Sequence, residues 1–178
     1  MRLTTDRLVL RPLEAGDFGA VHAYATDPEV VRYMDWGPNT LDDTTVFLDR
    51  MITSAARSPR TQFPLAIVPA TGAAPVGVVE LQIDSAEHRR ADIGYVLGRS
   101  AWGHGYASEA AAAMLRFGFD ELGLHKISAT CDPDNRGSAR VLEKIGMRRE
   151  GVLRDHFLVR GQWRDRLLWA ALHPDQRQ

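Results

Sequence analysis

The sequence predicts an α/β fold of the α+β-like kind, with one mixed, mostly antiparallel sheet of about seven strands and helices on both faces. Two observations carry this prediction. Apolar runs at 62–69, 75–83 and 91–97 follow one another with only short turns between them, which is typical of antiparallel strands. Helical patterns separate the later strands, and such helices pack against the faces of a sheet. Because three strands arrive in succession, a regular doubly wound parallel sheet is excluded.

The composition is typical of a soluble globular protein, with 44% hydrophobic and 25% charged residues. We expect residues 1–178 to form a single domain around one core. No apolar run approaches the roughly 18 residues of a membrane span, and the N-terminus lacks a signal-peptide pattern. The single cysteine, Cys131, excludes an internal disulfide and a cysteine-based zinc site. We therefore expect a cytoplasmic protein without a membrane partner, and the net charge of −1 argues against nucleic acid.

The first forty residues predict a strand, two helical segments and a loop. Residues 7–13 alternate with period two, as a strand does, and residues 14–24 predict a short helix. Asp27 is a suitable N-cap with Pro28 in the first turn, so a second helical segment is expected there. Residues 33–39 are expected to form a loop that exposes two aromatic side chains.

A longer helix is expected after this loop. Thr40 and Asp43 have the spacing of a capping box, with Asp in place of Glu, and predict a helix that continues to about Arg57. Its apolar face is expected to contain Phe47, Met51 and Ala55.

The second half of the chain alternates helices and strands. A helix after residue 105 is expected to end near Glu121, and its alanines allow close packing on a sheet. Residues 126–131 predict a strand, and residues 135–147 predict a helix that ends at Gly146 as a C-cap. The tail predicts a pair of strands with a turn near Gly161.

The stretch SAWGHGYASEA, residues 100–110, places Gly103 and Gly105 immediately before a helix. The first N–H groups of a helix are unpaired and carry a partial positive charge. Glycines in front of them remove the Cβ atoms that would keep a ligand away. This combination is typical of a site that binds phosphate groups through the backbone.

Two common phosphate-binding loops do not match this stretch. It lacks the lysine of a nucleoside triphosphatase loop, and Ser108 stands where a dinucleotide fingerprint has its third glycine. Asp132 follows the next strand and is suitably placed for a ribose contact, so a dinucleotide-binding enzyme stays open as an alternative. The three consecutive strands before the loop argue against that alternative.

Seven segments occur in one order along nearly the whole chain: TDRLVLRPL, WGPNT, ADIGYVL, WGHGYASEA, NRGSARVLEKIGM, REGVLRDHF and GQWRDRLLWAAL. Together they resemble the GNAT acetyltransferase superfamily, specifically the branch of ribosomal-protein N-terminal acetyltransferases of the RimJ/RimL type. Each segment alone is weak, but their order and spacing make the resemblance specific. The resemblance implies the GNAT fold, with acetyl-CoA as co-substrate and an amine as acceptor.

The resemblance also implies a binding site for acetyl-CoA. The family loop Gln/Arg-x-x-Gly-x-Gly/Ala falls on Trp102, Gly105 and Ala107, and its backbone N–H groups are expected to bind the pyrophosphate. Trp102 replaces the usual first residue of the motif. The stretch GYVL, residues 94–97, is expected to splay from the following strand at a bulge, so that the freed backbone of Val96 and Leu97 pairs with the pantetheine arm. The complete expected set is Val96, Leu97, Trp102, Gly103, His104, Gly105, Tyr106, Ala107, Ser108, Asn135, Ser138 and Arg140.

In this family the amine attacks the thioester directly within a ternary complex, without an acyl-enzyme. A backbone N–H near Leu97 is expected to bind the oxyanion. Many members protonate the thiolate with a tyrosine seven residues after the asparagine, but that position is Leu142 here. The ribosomal-type branch has a serine three residues after the asparagine, and Ser138 matches it. Ser138 is equally suited to be a helix N-cap, and both roles stay open.

Two carboxylates are candidate bases. Asp92 matches an acid common in the branch, and Glu80 lies on the neighbouring strand. An α-amine, with a pKa of about 7.7–8.0, needs only water relayed by either carboxylate. The loop residues expected to contact the acceptor are Tyr33, Asp35 and Trp36. The histidines lack the spacing of zinc ligands, so no metal is expected.

The sequence therefore predicts an acetyl-CoA-dependent N-acetyltransferase that acts on a primary amine, either a peptide or protein N-terminus or a small molecule. Because Leu142 cannot donate a proton and the base is not settled, a non-catalytic acyl-CoA-binding regulatory module is a second interpretation. The oligomeric state stays open, with a homodimer as one alternative.

Overall fold

Eight strands form one mixed sheet in the computed structural model, which describes residues 1–174. The strands are β1 Leu3–Thr4, β2 Leu8–Arg11, β3 Gln62–Pro69, β4 Gly77–Ser85, β5 Arg90–Leu97, β6 Lys126–Cys131, β7 Arg148–Val159 and β8 Gln162–Leu172. The helices are α1 Phe18–Ala25, α2 Leu41–Ala55, α3 Tyr106–Arg116 and α4 Arg136–Lys144. The strand order is β1-β2-β3-β4-β5-β6-β8-β7, and within residues 1–174 only β5 and β6 pair in parallel. The mixed, mostly antiparallel sheet is confirmed. The strand beyond the predicted seven is the two-residue β1, which is too short to show alternation.

The sheet divides between β5 and β6. Their ladder begins at Arg90 and Lys126 and ends at Asp92 and Ser128. Beyond that point β5 stays paired with β4 as far as Leu97, whereas β6 stays paired with β8. The two strands therefore separate inside the sheet, and each remains anchored on its other side.

Helices cover both faces of the sheet, as predicted. One core cluster contains residues of α3 and α4 packed on the sheet, among them Ala110, Met114, Leu142, Val79, Leu81 and Ile93. A second cluster contains residues of α1 and α2 packed on the opposite face, among them Val21, Tyr24, Leu48, Met51, Ala66 and Val78. The two neighbours Val78 and Val79 thus face different helices, as alternation along a strand requires.

The helix α2 begins with the predicted capping box. Asp43 N–H donates to the Thr40 hydroxyl oxygen, and the Asp43 carboxylate accepts from Thr40 N–H at 2.9 Å. The buried positions of the helix are Thr44, Leu48, Met51 and Ser54. The predicted apolar face is therefore rotated, because Phe47 is only half-buried and lines the cavity described below.

The helical segment predicted at Asp27 is wrong. Residues 27–36 form turns, in which Val30 and Val31 donate to the Asp27 carbonyl and Met34 donates to the Val31 carbonyl. One isolated turn fixes many dihedral angles for few hydrogen bonds, so it does not propagate by itself. The Asp27 carboxylate is also an ion-pair partner of Arg99 at 2.7 Å.

The elements of the second half agree with the predictions. A π-helical turn continues α3 to Glu121, and Gly146 follows α4 with a φ of 83°. The turn between β7 and β8 contains Arg160 and Gly161, both with positive φ, which matches the twist of a two-residue hairpin. Among the helices within residues 1–174, none has both the length and the hydrophobicity that crossing a membrane would require.

Candidate active site

The separation of β5 and β6 is continuous with a cavity of about 1030 Å³. Residues from both faces of the sheet line this cavity, together with residues of the 33–37 loop and of the β7–β8 hairpin. The sequence-predicted site residues that line it are Tyr33, Asp35, Trp36, Glu80, Asp92, Val96, Asn135 and Ser138. The predicted residues outside its lining are Leu97, Arg140 and the whole glycine loop, Trp102 to Ser108.

The two carboxylates lie on the α1/α2 face of the sheet. Glu80 is in register with Gly94, and Asp92 is in register with Gln82. Cross-strand partners and residues two apart point to the same face, and Val78 packs in the α1/α2 cluster. A Cβ on Gly94 would meet no atom within 4 Å, so open space lies beside Glu80.

Both carboxylates have an environment that favours proton uptake. Burial raises the pKa of Glu80, and Arg50 opposes this effect only in part. One Glu80 carboxylate oxygen is buried without a hydrogen-bond partner among residues 1–174. Burial also raises the pKa of Asp92, with a further contribution from the nearby charge of Asp84. A carboxylate whose pKa is raised is a better general base near neutral pH.

Two hydroxyl groups meet on the opposite face. The hydroxyl of Tyr95 lies 2.9 Å from Ser138 Oγ and 3.2 Å from the Ser138 carbonyl oxygen. Tyr95 is in register with Val79, which places its side chain on the α3/α4 face. Burial raises the pKa of Tyr95, so this hydroxyl keeps its proton at neutral pH.

The N-cap of α4 is Asn135 rather than Ser138. The Asn135 side-chain oxygen accepts from Ser138 N–H at 3.0 Å. The N-cap interpretation of Ser138 is therefore wrong, because the chain enters the helix three residues earlier. The capping bond fixes the first turn of α4 and leaves the Ser138 hydroxyl free to pair with Tyr95.

Tyr95 is a candidate site residue that the sequence patterns did not predict. It is the tyrosine in ADIGYVL. Because side chains alternate along a strand, Tyr95 lies on the face of the sheet opposite to that of Asp92 and Gly94, and this alternation could have identified it. Leu142, the position of the tyrosine in other family members, is buried at 1% exposure. The Tyr95 hydroxyl, from β5, therefore lies in the cavity that Leu142 also lines, where the sequence pattern predicted a leucine and no proton donor.

The glycine loop has the backbone conformation that its sequence requires. Gly103 and Gly105 both have a φ of 79°, in the left-handed region that favours glycine. The N–H of Glu109 makes the first helical hydrogen bond, to the Gly105 carbonyl. The N–H groups of residues 106–108 precede that bond and lie at the positive end of α3.

Arg7 and Glu109 hold this loop in place, and neither residue was predicted from the sequence to do so. The Arg7 guanidinium donates to the His104 carbonyl at 2.9 Å and forms an ion pair with Glu109 at 2.6 Å. It also lies over the Tyr106 ring at 5.2 Å. The loop is thereby connected to the segment that enters β2, about one hundred residues earlier in the chain.

At the end of β5, the backbone N–H and carbonyl groups of every second residue point away from β4 and towards the separation, where a ligand could bind. Gly98 N–H donates to the Val76 carbonyl, so by alternation Val96 pairs with Val78 of β4. The Val96 backbone is therefore paired within the sheet, and the expectation that it is free for the pantetheine arm is wrong, although Val96 lines the cavity. The backbone groups of Tyr95 and Leu97 face the open side, where Trp102 Nε1–H donates to the Leu97 carbonyl at 2.8 Å. The register between β4 and β5 is regular from Leu97 back to Ala91, with its shift between Ile83 and Ser85, so the bulge expected at residues 94–97 is wrong.

Asp132 does not have the surroundings of a ribose-binding carboxylate. It is 2% exposed and forms an ion pair with Arg164 at 3.0 Å. Neighbouring positive charge and hydrogen bonds hold its pKa below the usual range despite its burial. Within residues 1–174, no three His, Cys, Asp or Glu side chains come together as ligands of a metal ion.

Residues 7–148 match a family model described as the acetyltransferase (GNAT) domain. The chain belongs to the GNAT acetyltransferase family. It is accordingly an acetyl-CoA-dependent N-acetyltransferase, and the dinucleotide-binding alternative is wrong. A relative in Bacillus subtilis, the uncharacterized N-acetyltransferase YnaD, is 35% identical over 175 residues, or 98% of this chain and 99% of the relative.

Two relatives of this GNAT protein have named acceptors. The [ribosomal protein uS5]-alanine N-acetyltransferase of Escherichia coli is 36% identical over 83 residues, 47% of this chain and 43% of that enzyme. The spermidine N(1)-acetyltransferase of Escherichia coli is 29% identical over 156 residues, 88% of this chain and 81% of that enzyme.

Solved structures of GNAT proteins superpose closely. A GNAT-family acetyltransferase from Bacillus anthracis has a TM-score of 0.86 at 35% identity, covering 97% of this chain and 99% of its own. RimJ of Mycobacterium smegmatis, in complex with CoA-disulfide, has a TM-score of 0.83 at 28% identity. The match covers 96% of this chain and 84% of the RimJ chain. The resemblance to the ribosomal-protein branch is supported.

Replacing Glu80 by Gln is expected to raise stability at neutral pH. Because burial raises the pKa of Glu80 in the folded state, its ionised form opposes folding above the pKa of about 4.3 in the unfolded chain. Glu80→Gln should therefore melt at a higher temperature than the parent at pH 7.5, and the difference should shrink as the pH falls towards about 4. The matched control, Glu87→Gln, removes an exposed carboxylate and should leave the melting temperature unchanged. A lower melting temperature for Glu80→Gln at pH 7.5 would contradict this account.

Proposed function

We propose that this GNAT enzyme transfers the acetyl group of acetyl-CoA to a primary amine by direct attack within a ternary complex. The observation that carries the proposal is the placement of two carboxylates and two hydroxyls on opposite faces of the divided sheet. Glu80 and Asp92 are on the α1/α2 face, whereas Ser138 and Tyr95 meet on the α3/α4 face. A thioester between β5 and β6 would have a proton acceptor on one side and a proton donor on the other.

The residues around the glycine loop suit the pyrophosphate of acetyl-CoA. A Cβ on Gly103 would meet no atom within 4 Å, and the first N–H groups of α3 point out of the helix beside it. The guanidinium of Arg7 lies next to Gly105, where it offsets the negative charge of Glu109 in the first turn of α3. We propose that Trp102 to Ser108 bind the pyrophosphate, that the backbone of Tyr95 and Leu97 pairs with the pantetheine arm, and that Asn135 and the exposed Arg140 contribute further contacts.

Acetyl-CoA supplies an activated thioester carbonyl. The amine nitrogen forms a bond to this carbonyl carbon, and the carbon–sulfur bond breaks. Glu80 or Asp92, directly or through a water molecule, takes the proton that the attacking nitrogen loses. Ser138 gives its hydroxyl proton to the departing thiolate and regains one from Tyr95 or solvent. A backbone N–H near Leu97 binds the oxyanion.

Direct attack is favoured over an acyl-cysteine. Cys131 lines the cavity, but burial raises the pKa of its thiol, and the thiolate is the nucleophilic form. The non-catalytic alternative rests on Leu142 and on the open choice of base; the hydroxyl of Tyr95 beside Ser138 and the buried carboxylates Glu80 and Asp92 support the catalytic proposal. We also propose that residues 1–178 act as a single GNAT domain in the cytoplasm.

The proposed acceptor is a peptide or protein N-terminal amine or a small-molecule amine, and Tyr33, Asp35 and Trp36 are proposed to contact it. The named acceptors of the two Escherichia coli relatives, a ribosomal-protein alanine and spermidine, support an amine of either kind. Release of free CoA should be measured with acetyl-CoA and a panel of N-terminal peptides, amino acids, polyamines and aminoglycosides. Turnover with a member of the panel is expected, and its absence across the panel would refute the proposed acceptor classes.

Gly105→Val is expected to weaken acetyl-CoA binding at least tenfold, because a side chain would occupy the space of the pyrophosphate. Isothermal titration calorimetry measures this directly. Gly123→Val is the matched control, since Gly123 also has a positive φ, is exposed and lies at the end of the helix away from the loop. Both variants should lose folding stability because of the positive φ, Gly105→Val somewhat more because its Cβ would lie 3.4 Å from Arg7 Nη2, whereas only Gly105→Val should lose affinity. Equal affinities would place the pyrophosphate elsewhere.

Ser138→Ala should lower kcat by about 10² to 10⁴, the usual contribution of one positioned proton donor. Tyr95→Phe should lower kcat as well, but less, because Ser138 keeps its own proton. The double variant should be no slower than Ser138→Ala alone, since both residues act through one proton transfer. The Kd of acetyl-CoA should stay within about twofold in all three variants. Additive losses in the double variant would show that the two hydroxyls act separately.

A further inference from the structure

Arg160 links the tip of the β7–β8 hairpin to the loop at residues 31–37. Its Nη2 donates to the carbonyl of Val31 at 3.0 Å and to the carbonyl of Gly37 at 3.2 Å. Its Nη1 donates to the carbonyl of Arg32 at 3.3 Å. One guanidinium thus holds both ends of this loop through three backbone carbonyls.

Arg166 holds the middle of the same loop. Its Nη2 donates to the carbonyl of Tyr33 at 2.9 Å, from a position on β8. The guanidinium of Arg166 is itself buried, over the ring of Phe157 and 3.8 Å from Asp132. The two arginines of the hairpin therefore determine where the loop backbone lies.

The loop and the hairpin belong to different halves of the divided sheet. The loop at 31–37 precedes α2, which packs on the β3–β4 half, whereas β8 pairs with β6 beyond the separation. Tyr33, Asp35 and Trp36 of this loop line the cavity. Within this loop both arginines donate hydrogen bonds to backbone carbonyls, so these bonds leave the polar groups of the three side chains unoccupied.

We propose that Arg160 and Arg166 are positioning residues for the amine acceptor. They hold the 31–37 loop across the opening of the cavity and so set the affinity and selectivity for the acceptor, without contacting acetyl-CoA. This inference rests on the proposed function, in which the loop contacts the amine. Arg160 provides the sharper test, since it is exposed on a surface turn, whereas loss of the buried Arg166 would also leave Asp132 with fewer charge partners.

The informative variant is Arg160→Asn. Arg160 has a φ of 48°, and asparagine tolerates this left-handed conformation, so the hairpin turn is retained while the guanidinium is removed. Arg154→Asn is the matched control, because Arg154 is an exposed arginine on the same hairpin and the charge change is identical. Arg160→Lys keeps the charge but not the planar fork that reaches three carbonyls.

For Arg160→Asn we expect the acceptor KM to rise at least fivefold, while the KM of acetyl-CoA and the melting temperature stay close to those of the parent. Discrimination between two acceptors of the panel should also decrease. Arg160→Lys should recover part of the acceptor affinity, and Arg154→Asn should match the parent. An unchanged acceptor KM, or equal increases of both KM values with a lower melting temperature, would overturn the inference.

Hydrogen exchange provides a second readout that does not depend on turnover. The amides of residues 31–37 should exchange faster in Arg160→Asn than in the parent, with the sheet unchanged. Unaltered exchange in this loop would overturn the inference even if no acceptor in the panel reacts. Absence of turnover in the parent would instead refute the proposed acceptor classes, so the two failures are distinguishable.

Discussion

The backbone ladder between β5 and β6 ends after Asp92 and Ser128, and the rest of the site depends on this ending. A strand inside a sheet normally has hydrogen-bond partners on both sides, and unpaired buried backbone groups are costly. Here β5 keeps its partners in β4, while beyond Asp92 its other edge has no neighbouring strand, and the Leu97 carbonyl there accepts from Trp102 Nε1–H. That open edge is a template for a ligand with amide groups of its own, as a pantetheine arm has.

Side chains alternate along β5, so the reactive groups of this strand lie on both faces of the sheet. Asp92 and Gly94 point towards α1 and α2, whereas Tyr95 points towards α4. A single strand therefore contributes a carboxylate to one face and a hydroxyl to the other. Glu80 and Ser138 supplement these groups from a neighbouring strand and from a helix start, and neither requires an unusual backbone conformation.

Local signals in the sequence predicted most of the fold. The capping box at Thr40, the paired glycines before α3 and the glycine after α4 each determine an element boundary within a few residues. The short segment at Asp27 failed because a single turn is not stabilised by local interactions alone. The strand β1 was missed because two residues show no alternation.

Contacts between distant parts of the chain were not predictable in the same way. Tyr95 meets Ser138 from 43 residues away, and Arg7 meets Glu109 from 102 residues away. Such pairs depend on the register of the strands and on which helix packs on which face of the sheet. Local sequence patterns do not determine either of these. The N-cap of α4 shows a related difficulty, since Asn135 and Ser138 are both good capping residues and only the path of the chain distinguishes them.

The divided sheet has a consequence for traffic through the enzyme. The residues proposed to bind the amine lie on the α1/α2 face of the sheet, and those proposed to bind acetyl-CoA lie on the α3/α4 face. The two sets meet where β5 separates from β6. Neither substrate would then need to pass the other's binding residues to reach the centre, and each product would have its own exit. With both substrates bound as proposed, either one would reach the centre without the other having to bind first.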